Sequence, residues 1–337
     1  MSMPVIAFFN NKGGVGKTSL VYHLAWMYAD MGKRVVAADI DPQANLTAAF
    51  IDEDRLEELW SEDNHLRTVF GCVEPFIEGI GDVADPHLEM VEQNLALLVG
   101  DLRLSGFEDQ LSEVWPKCMD RDPRAFRITS AFWRIVQKAA AIHEADMIFI
   151  DVGPNLGAIN RAALVATDHV VVPLSPDLFS TIGVHNLGPT LRRWREGWKE
   201  RLEKNPVPDL LLPAGEMLPL GYVVLQHSQR MDRPAKAYDR WIARIQKAYR
   251  EDVLGEQDSP PVLIQNDPNC LAMLKHYRSL MPMAQEAHKP MFHLKPADGA
   301  IGSHYQAAQS ARGDFQQLAQ KIAKRAGVPL SSPSLAF

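Results

Sequence analysis

Asn10 to Ser19 reads NNKGGVGKTS: three glycines, two lysines and a Thr-Ser pair, placed directly after the apolar run PVIAFF. Such a composition suits the binding of a polyphosphate. Consecutive backbone N–H groups can wrap an anion, and the start of a helix adds its partial positive charge. Glycine is needed where φ turns positive or where a Cβ would block the approach, and Gly13, Gly14 and Gly16 meet that need, with Val15 among them. Lys17 is placed to reach the β- and γ-phosphates of a bound nucleotide, while the Thr18 hydroxyl, followed by Ser19, can ligate Mg²⁺. The strict pattern G-x-x-x-x-G-K-[ST] fails at its first position, which is Asn11. Lys12 also falls outside that pattern, and taken alone it could simply add positive potential near the nucleotide.

Carboxylates follow at the ends of two apolar runs. MIFID closes on Asp151, where a side chain beside the phosphates can hold Mg²⁺ directly or through water, since Mg²⁺ takes few protein ligands. RVVAADIDP carries Asp39 and Asp41 two residues apart, which share one face if the strand persists. Asp39 is expected to support Mg²⁺ or Lys17. No Ser-His-Asp set and no metal-ligand spacing of His and Cys is present, and Cys72, Cys118 and Cys270 stand too far apart to suggest a disulfide framework or a cluster.

The elements that must hold these residues can be read from apolar periodicity. Strands are expected over Met3 to Phe9, Arg34 to Ile40, Leu95 to Val99, Met147 to Asp151, His169 to Leu174 and Leu220 to Gln226. Helices are expected after the glycine loop as far as Gly32, from Asn45, over Ala131 to Ala145, from about Pro234 to Glu251, and from about Gly313 to Ala326. Asp52 to Glu92 is expected to be helical and surface-exposed. The alternation predicts an α/β three-layer sandwich, a mostly parallel twisted sheet flanked by helices. One domain is expected over 1–326, with an acidic, helical elaboration at about 52–125 and a disordered tail over 327–337.

The formal net charge of −7 is unevenly spread. Ile51 to Ala125 holds 19 acidic against 6 basic residues, and Leu191 to Arg250 holds 13 basic against 7 acidic, so two surfaces of opposite sign are expected. No apolar run approaches the roughly 18 to 20 uncharged residues of a membrane span, and the expected location is the cytoplasm. In the last helix Phe315, Leu318 and Ile322 form the stripe expected for packing on the sheet rather than for a membrane surface.

KGGVGKTS, DIDPQAN and MIFIDVGP together resemble the ParA/MinD family of deviant Walker A P-loop ATPases, and DPQ resembles its ParA branch. The resemblance implies ATP and Mg²⁺ as cofactors and slow, partner-stimulated hydrolysis. Lys12 would reach across a two-fold interface to the partner subunit's phosphates, making a homodimer depend on ATP, and Asp41 would orient the attacking water. It further implies nonspecific DNA binding by the ATP dimer, a ParB-like or other protein that stimulates hydrolysis, and association with the nucleoid; no membrane partner is expected, since a Pro/Ser tail rather than more helix follows the last helix. Arg192 to Arg201 and Arg230 to Arg250 carry the basic residues for such salt-dependent phosphate contacts. Two alternatives stay open: a switch of the same kind acting on a protein complex, and a P-loop enzyme that transfers phosphate to a small molecule. Val152-Gly153-Pro154 departs from the family's frequent double proline, and the stretch from about Asp52 to Glu144 is longer and more acidic than the family pattern.

Overall fold

The computed structural model describes residues 3–61, 65–227, 235–257, 260, 262–277 and 279–330. Its strands are β1 (Val5–Phe8), β2 (Val35–Asp39), β3 (Glu89–Glu92), β4 (Leu95–Leu98), β5 (Met147–Asp151), β6 (His169–Leu174), β7 (Leu218–His227) and β8 (Cys270–Lys275). They form one sheet in the order β3-β4-β2-β5-β1-β6-β7-β8. Every neighbouring pair is parallel except β3 with β4. The fold is the expected three-layer α/β sandwich.

The sequence dictates this arrangement through alternation within short apolar strands. In β1, Val5 and Ala7 face one layer while Ile6 and Phe8 face the other, and all four are fully buried. The first layer holds the helices Ala131–His143, Ala158–Val165 and Leu178–Leu202. The second holds Lys17–Asp30 and Ser303–Ala326, joined where the Tyr28 hydroxyl donates to Ala319 O at 2.6 Å. Phe315, Leu318 and Ile322 are buried in that layer. Among the described residues no helix is long and apolar enough to cross a membrane.

The structure departs from expectation in three places. β3 occupies the end of the stretch expected to be helical, and within that stretch the helix Val69–Glu78 buries Val69, Phe70, Cys72, Val73 and Phe76 instead of lying on the surface. Its acidic residues, Glu74 and Glu78, mask an apolar face that the sheet recruits. β8 follows a segment given no assignment. The last helix starts ten residues earlier than Gly313, whose position has open space around it and adds only the usual helix cost of about 1 kcal/mol. Val328 packs into the second layer, and 331–337 of the expected tail lie outside the described residues.

Gly188 shows how tightly neighbouring segments of the first layer pack. A Cβ there would stand 1.9 Å from the Asp252 carbonyl oxygen, in the π-helical turn Tyr249–Leu254. Gly188→Ala therefore forces backbone apart, and a loss of about 3 kcal/mol or more in denaturant unfolding is expected. A loss under about 0.5 kcal/mol would show that the two segments part freely.

Candidate nucleotide site

β1 delivers the chain to the glycine loop, and Asn10 fixes its start. Asn10 is buried, donates from Nδ2 to Pro173 O at 2.7 Å and accepts the Lys12 N–H at 3.0 Å. Gly14 and Gly16 have φ of 71° and 86°, which residues with a Cβ adopt only under strain. No side chain caps the helix that starts at Lys17, so its first turn offers N–H groups toward the loop.

The loop, with Tyr22, His23, Asp41, Gln43, Asn45, Ala48, Ala49, Pro154 and Met281, Ala284 and Gln285 of the helix Leu280–Glu286, lines a cleft of about 550 Å³. Lys12, Gly13, Gly14, Val15, Gly16, Lys17, Thr18, Ser19 and Asp41 all line it. Asp151 lies beneath, accepting the Thr18 hydroxyl on Oδ2 at 2.6 Å. Asp39 is set back from the cleft: Oδ2 takes the N–H and hydroxyl of Thr47, each at 2.8 Å, and Oδ1 takes the Asp41 N–H at 3.3 Å.

β2 and β5 pair Asp39 with Asp151 in register, two fully buried carboxylates side by side. Burial and the Asp151 charge push Asp39 up to about 8, although Thr47 works in the other direction. Burial also raises Asp151, to about 6, with Lys17 and the Thr18 hydroxyl pulling back. Asp151 Oδ1 has no hydrogen-bond partner despite its burial. An orphaned carboxylate oxygen beside a hydroxyl and below an anion cradle fits Mg²⁺ accompanying a polyphosphate. Among the described residues no cluster of three or more His, Cys, Asp or Glu could hold a metal ion alone.

Lys12 is held at the mouth of the cleft. Its Nζ meets Asp177 Oδ2 at 2.5 Å, both side chains being about a quarter to a third exposed, and the Phe179 ring lies 5.9 Å away. Asp177 also caps the helix Leu178–Leu202 by accepting the Ser180 N–H at 2.8 Å. Partial burial opposes its ionisation, yet Lys12 and Ser180 together hold it below the usual carboxylate range. Sequence reasoning gave Asp177 no role, although an aspartate just before a helical segment signals a cap. Gln43, Thr47 and Met281 were also passed over.

His23 ties the loop helix to the second layer. Its Nδ1–H donates to Ser19 O at 2.7 Å, Nε2 accepts the Met291 N–H at 3.2 Å, and the ring stacks on Phe315 at 5.1 Å. Burial lowers His23 to about 4, outweighing the Ser19 carbonyl. Between pH 6.5 and about 4 the unfolded chain therefore binds a proton that the folded chain refuses, and stability falls as pH falls. Over that window wild type is expected to lose on the order of 3 kcal/mol relative to His23→Gln in denaturant unfolding. Parallel pH curves for the two proteins would count against it.

The basic stretches divide. Arg192 donates to Asp252 O, Arg195 to the carbonyls of Glu216 and Met217, and Arg201 to Trp115 O, so these three serve the fold. Arg193 and Lys199 are exposed. On the helix Ala235–Ala248, Arg240 and Arg244 are exposed around the Trp241 ring, and Lys247 reaches Glu251 at 3.7 Å. Arg230 and Arg233 lie outside the described residues.

Comparison with known proteins follows the same lines. A family model described as an AAA domain matches residues 3–204. Soj of Bacillus subtilis is 31% identical over 189 residues, covering 56% of this chain and 64% of Soj. The chromosome partitioning protein ParA of Caulobacter vibrioides is 29% identical over 199 residues, covering 59% of this chain and 66% of that protein. The matched part thus spans just under two thirds of these relatives. A protein of Corynebacterium diphtheriae superposes with a TM-score of 0.72 at 25% identity, over 96% of this chain and 99% of that one. Cyanothece McdA in complex with ATP shares the fold with a TM-score of 0.63 at 13% identity, over 98% and 99% of the two chains. A Borrelia burgdorferi plasmid partition protein bound to AMPPNP shares it with a TM-score of 0.58 at 16% identity, over 96% and 99%. Motif, fold and family match agree, and the chain belongs to the ParA/MinD family of P-loop ATPases.

Proposed function

We propose that this chain is an ATP-driven dimerisation switch that partitions or positions DNA. The supporting observation is the placement of Lys12. It flanks the phosphate cradle, yet its ammonium sits at the cleft mouth on Asp177, a partly exposed carboxylate. A lysine held there can exchange that partner for a γ-phosphate brought by a second copy, and charge-assisted contacts to phosphate in a closed interface are strong. ATP offers that phosphate and ADP does not. Lys17 and the loop amides would bind the chain's own nucleotide, Thr18 and Asp151 would hold Mg²⁺ with Asp39 behind them, and Asp41 would orient the water. Bound Mg²⁺ would neutralise charge on the β- and γ-phosphates. Residues 1–326 would act as one ATPase domain, with the exposed acidic face of 52–125 turned toward a partner while its strand β4 belongs to the sheet.

DNA would meet the exposed Arg193, Lys199, Arg240, Arg244 and Lys247, carried on two helices packed against each other. Such contacts need clustered positive charge and no base readout. A ParB-like protein would stimulate the reset, in the cytoplasm and on the nucleoid. The acidic segment favours a second reading, in which the same switch acts on a protein assembly.

The test is the molar mass of the protein in solution with ADP, and with a slowly hydrolysed ATP analogue and Mg²⁺, each with and without nonspecific duplex DNA. A dimer only with the analogue, retaining DNA that salt releases, supports the proposal. A nucleotide-dependent dimer that ignores DNA favours the protein assembly. A mass indifferent to nucleotide overturns the switch and points to a small-molecule enzyme.

A further inference from the structure

The loop between Asp151 and the helix Ala158–Val165 touches both the phosphate cradle and the proposed water-orienting carboxylate. Pro154 lies 3.8 Å from where a Cβ on Gly13 would stand, and Asp41 Oδ1 lies 3.2 Å from where one on Gly153 would. From within, the Asn160 side-chain amide holds the loop by donating to Gly153 O at 2.8 Å, Asn155 O at 2.7 Å and Asn155 Oδ1 at 3.0 Å.

From outside, the downstream end is held by a residue far away in sequence. The helix starts after Gly157, which has no side chain to cap it. Glu108 supplies the cap: Oε1 accepts the Ala158 N–H at 2.5 Å and Oε2 accepts the Ile159 N–H at 2.8 Å. A Cβ at Gly157 would stand 2.6 Å from that first oxygen, so the missing side chain is what admits the carboxylate. A carboxylate at a helix N-terminus with two charge-assisted hydrogen bonds is a strong tie. Glu108 is the first residue of the helix Glu108–Lys117, within the acidic segment. The two helices are joined again by Arg161, which donates to Leu111 O at 3.2 Å and lies 4.5 Å over the Trp115 ring.

We propose that Glu108 is a positioning residue for ATP hydrolysis. By fixing the first turn of the helix Ala158–Val165 it sets the preceding loop, and through Gly153 and Pro154 it sets where Asp41 and Gly13 stand relative to the nucleotide. The acidic segment is thereby wired into the hydrolytic centre through one side chain, which gives a protein bound to that segment a direct hold on the site. The proposal rests on the cleft being an ATP site.

The test compares Glu108→Ala and Glu108→Gln with wild type, and uses Glu113→Gln, an exposed residue of the same helix paired with Lys117, as control. Hydrolysis, nucleotide affinity and amide hydrogen exchange across residues 152–159 are read well below each unfolding midpoint. In Glu108→Ala, kcat is expected to fall about tenfold with nucleotide affinity kept within about twofold, and exchange at Ala158 and Ile159 to rise about tenfold. Glu108→Gln, which keeps one acceptor oxygen, should fall between, and Glu113→Gln should match wild type. A merely structural cap would lower the midpoint and leave kcat of the folded protein alone, so an unchanged kcat in Glu108→Ala overturns the proposal. Unchanged exchange across 152–159 overturns it as well, and needs no turnover to be read. A wild-type protein that fails to hydrolyse ATP overturns instead the function proposed above.

Discussion

Lys12→Ala protein is expected to bind nucleotide within about threefold of wild type and to dimerise with ATP at least about 100-fold more weakly, the loss typical when one partner of a buried charged contact is removed. The cradle is held by groups other than the Lys12 side chain: Lys17 and the rest of the loop also line the cleft, and it is the Lys12 main-chain N–H that donates to Asn10 Oδ1. Within one chain the substitution removes the partly exposed pair with Asp177, a contact worth up to about 1 kcal/mol, together with the approach to the Phe179 ring, and leaves Asp177 still capping its helix. Sedimentation or light scattering over a concentration series, alongside titration of a fluorescent nucleotide, separates the two effects. Dimerisation at wild-type strength would leave Lys12 without its proposed purpose. Weakened nucleotide binding with normal dimerisation would make it a second cradle lysine.

The second large effect is expected at Asp41. Asp41→Ala should lower kcat about 100-fold or more, in the range for losing a residue that handles the attacking water, and the protein should accumulate as an ATP-bound dimer. Three carboxylates converge on this end of the sheet, and their surroundings separate their work. Asp151 is committed to the Thr18 hydroxyl, and Asp39 is fully enclosed, hydrogen-bonded to Thr47 and pushed up to about 8 chiefly by burial. Asp41 is the one that lines the cleft, its Oδ1 steered by the Gln43 N–H at 3.0 Å. Asp39 therefore cannot swing in to replace it. Single-turnover hydrolysis with bound ATP measured independently gives the answer, and turnover within about threefold of wild type would remove Asp41 from the role.

Much of this site is legible in the sequence because it is local. A glycine loop between an apolar strand and a helix specifies its own geometry, and positive φ falls on Gly14 and Gly16 as the chemistry of the loop requires. MIFID and HVVVPL are apolar runs with little alternation, as strands buried on both faces must be, and both match their strands residue for residue. What escaped is what depends on distant partners. Lys12 and Asp177 are 165 residues apart, and Glu108 reaches a helix start 50 residues on. Arg192, Arg195 and Arg201 read as surface charge until carbonyl oxygens from other segments engage them. β8 escaped because CLAMLK is composed mostly of residues with no preference for a pleated strand, and only the exposed edge of β7 makes it one. β3 escaped because EMVE lies in an acidic run, and four residues are too few to show a period.

That short strand has a consequence of its own. β3 runs against the grain of the sheet along β4, with a register shift between Met90 and Glu92, and carries Glu89 pinned by Arg55 at 2.7 Å. An open β4 would offer a row of unpaired amides to any neighbouring molecule. A brief, kinked, acidic border is a poor template for fibril growth, so copies of the chain can meet at high concentration without adding strand to strand along this edge.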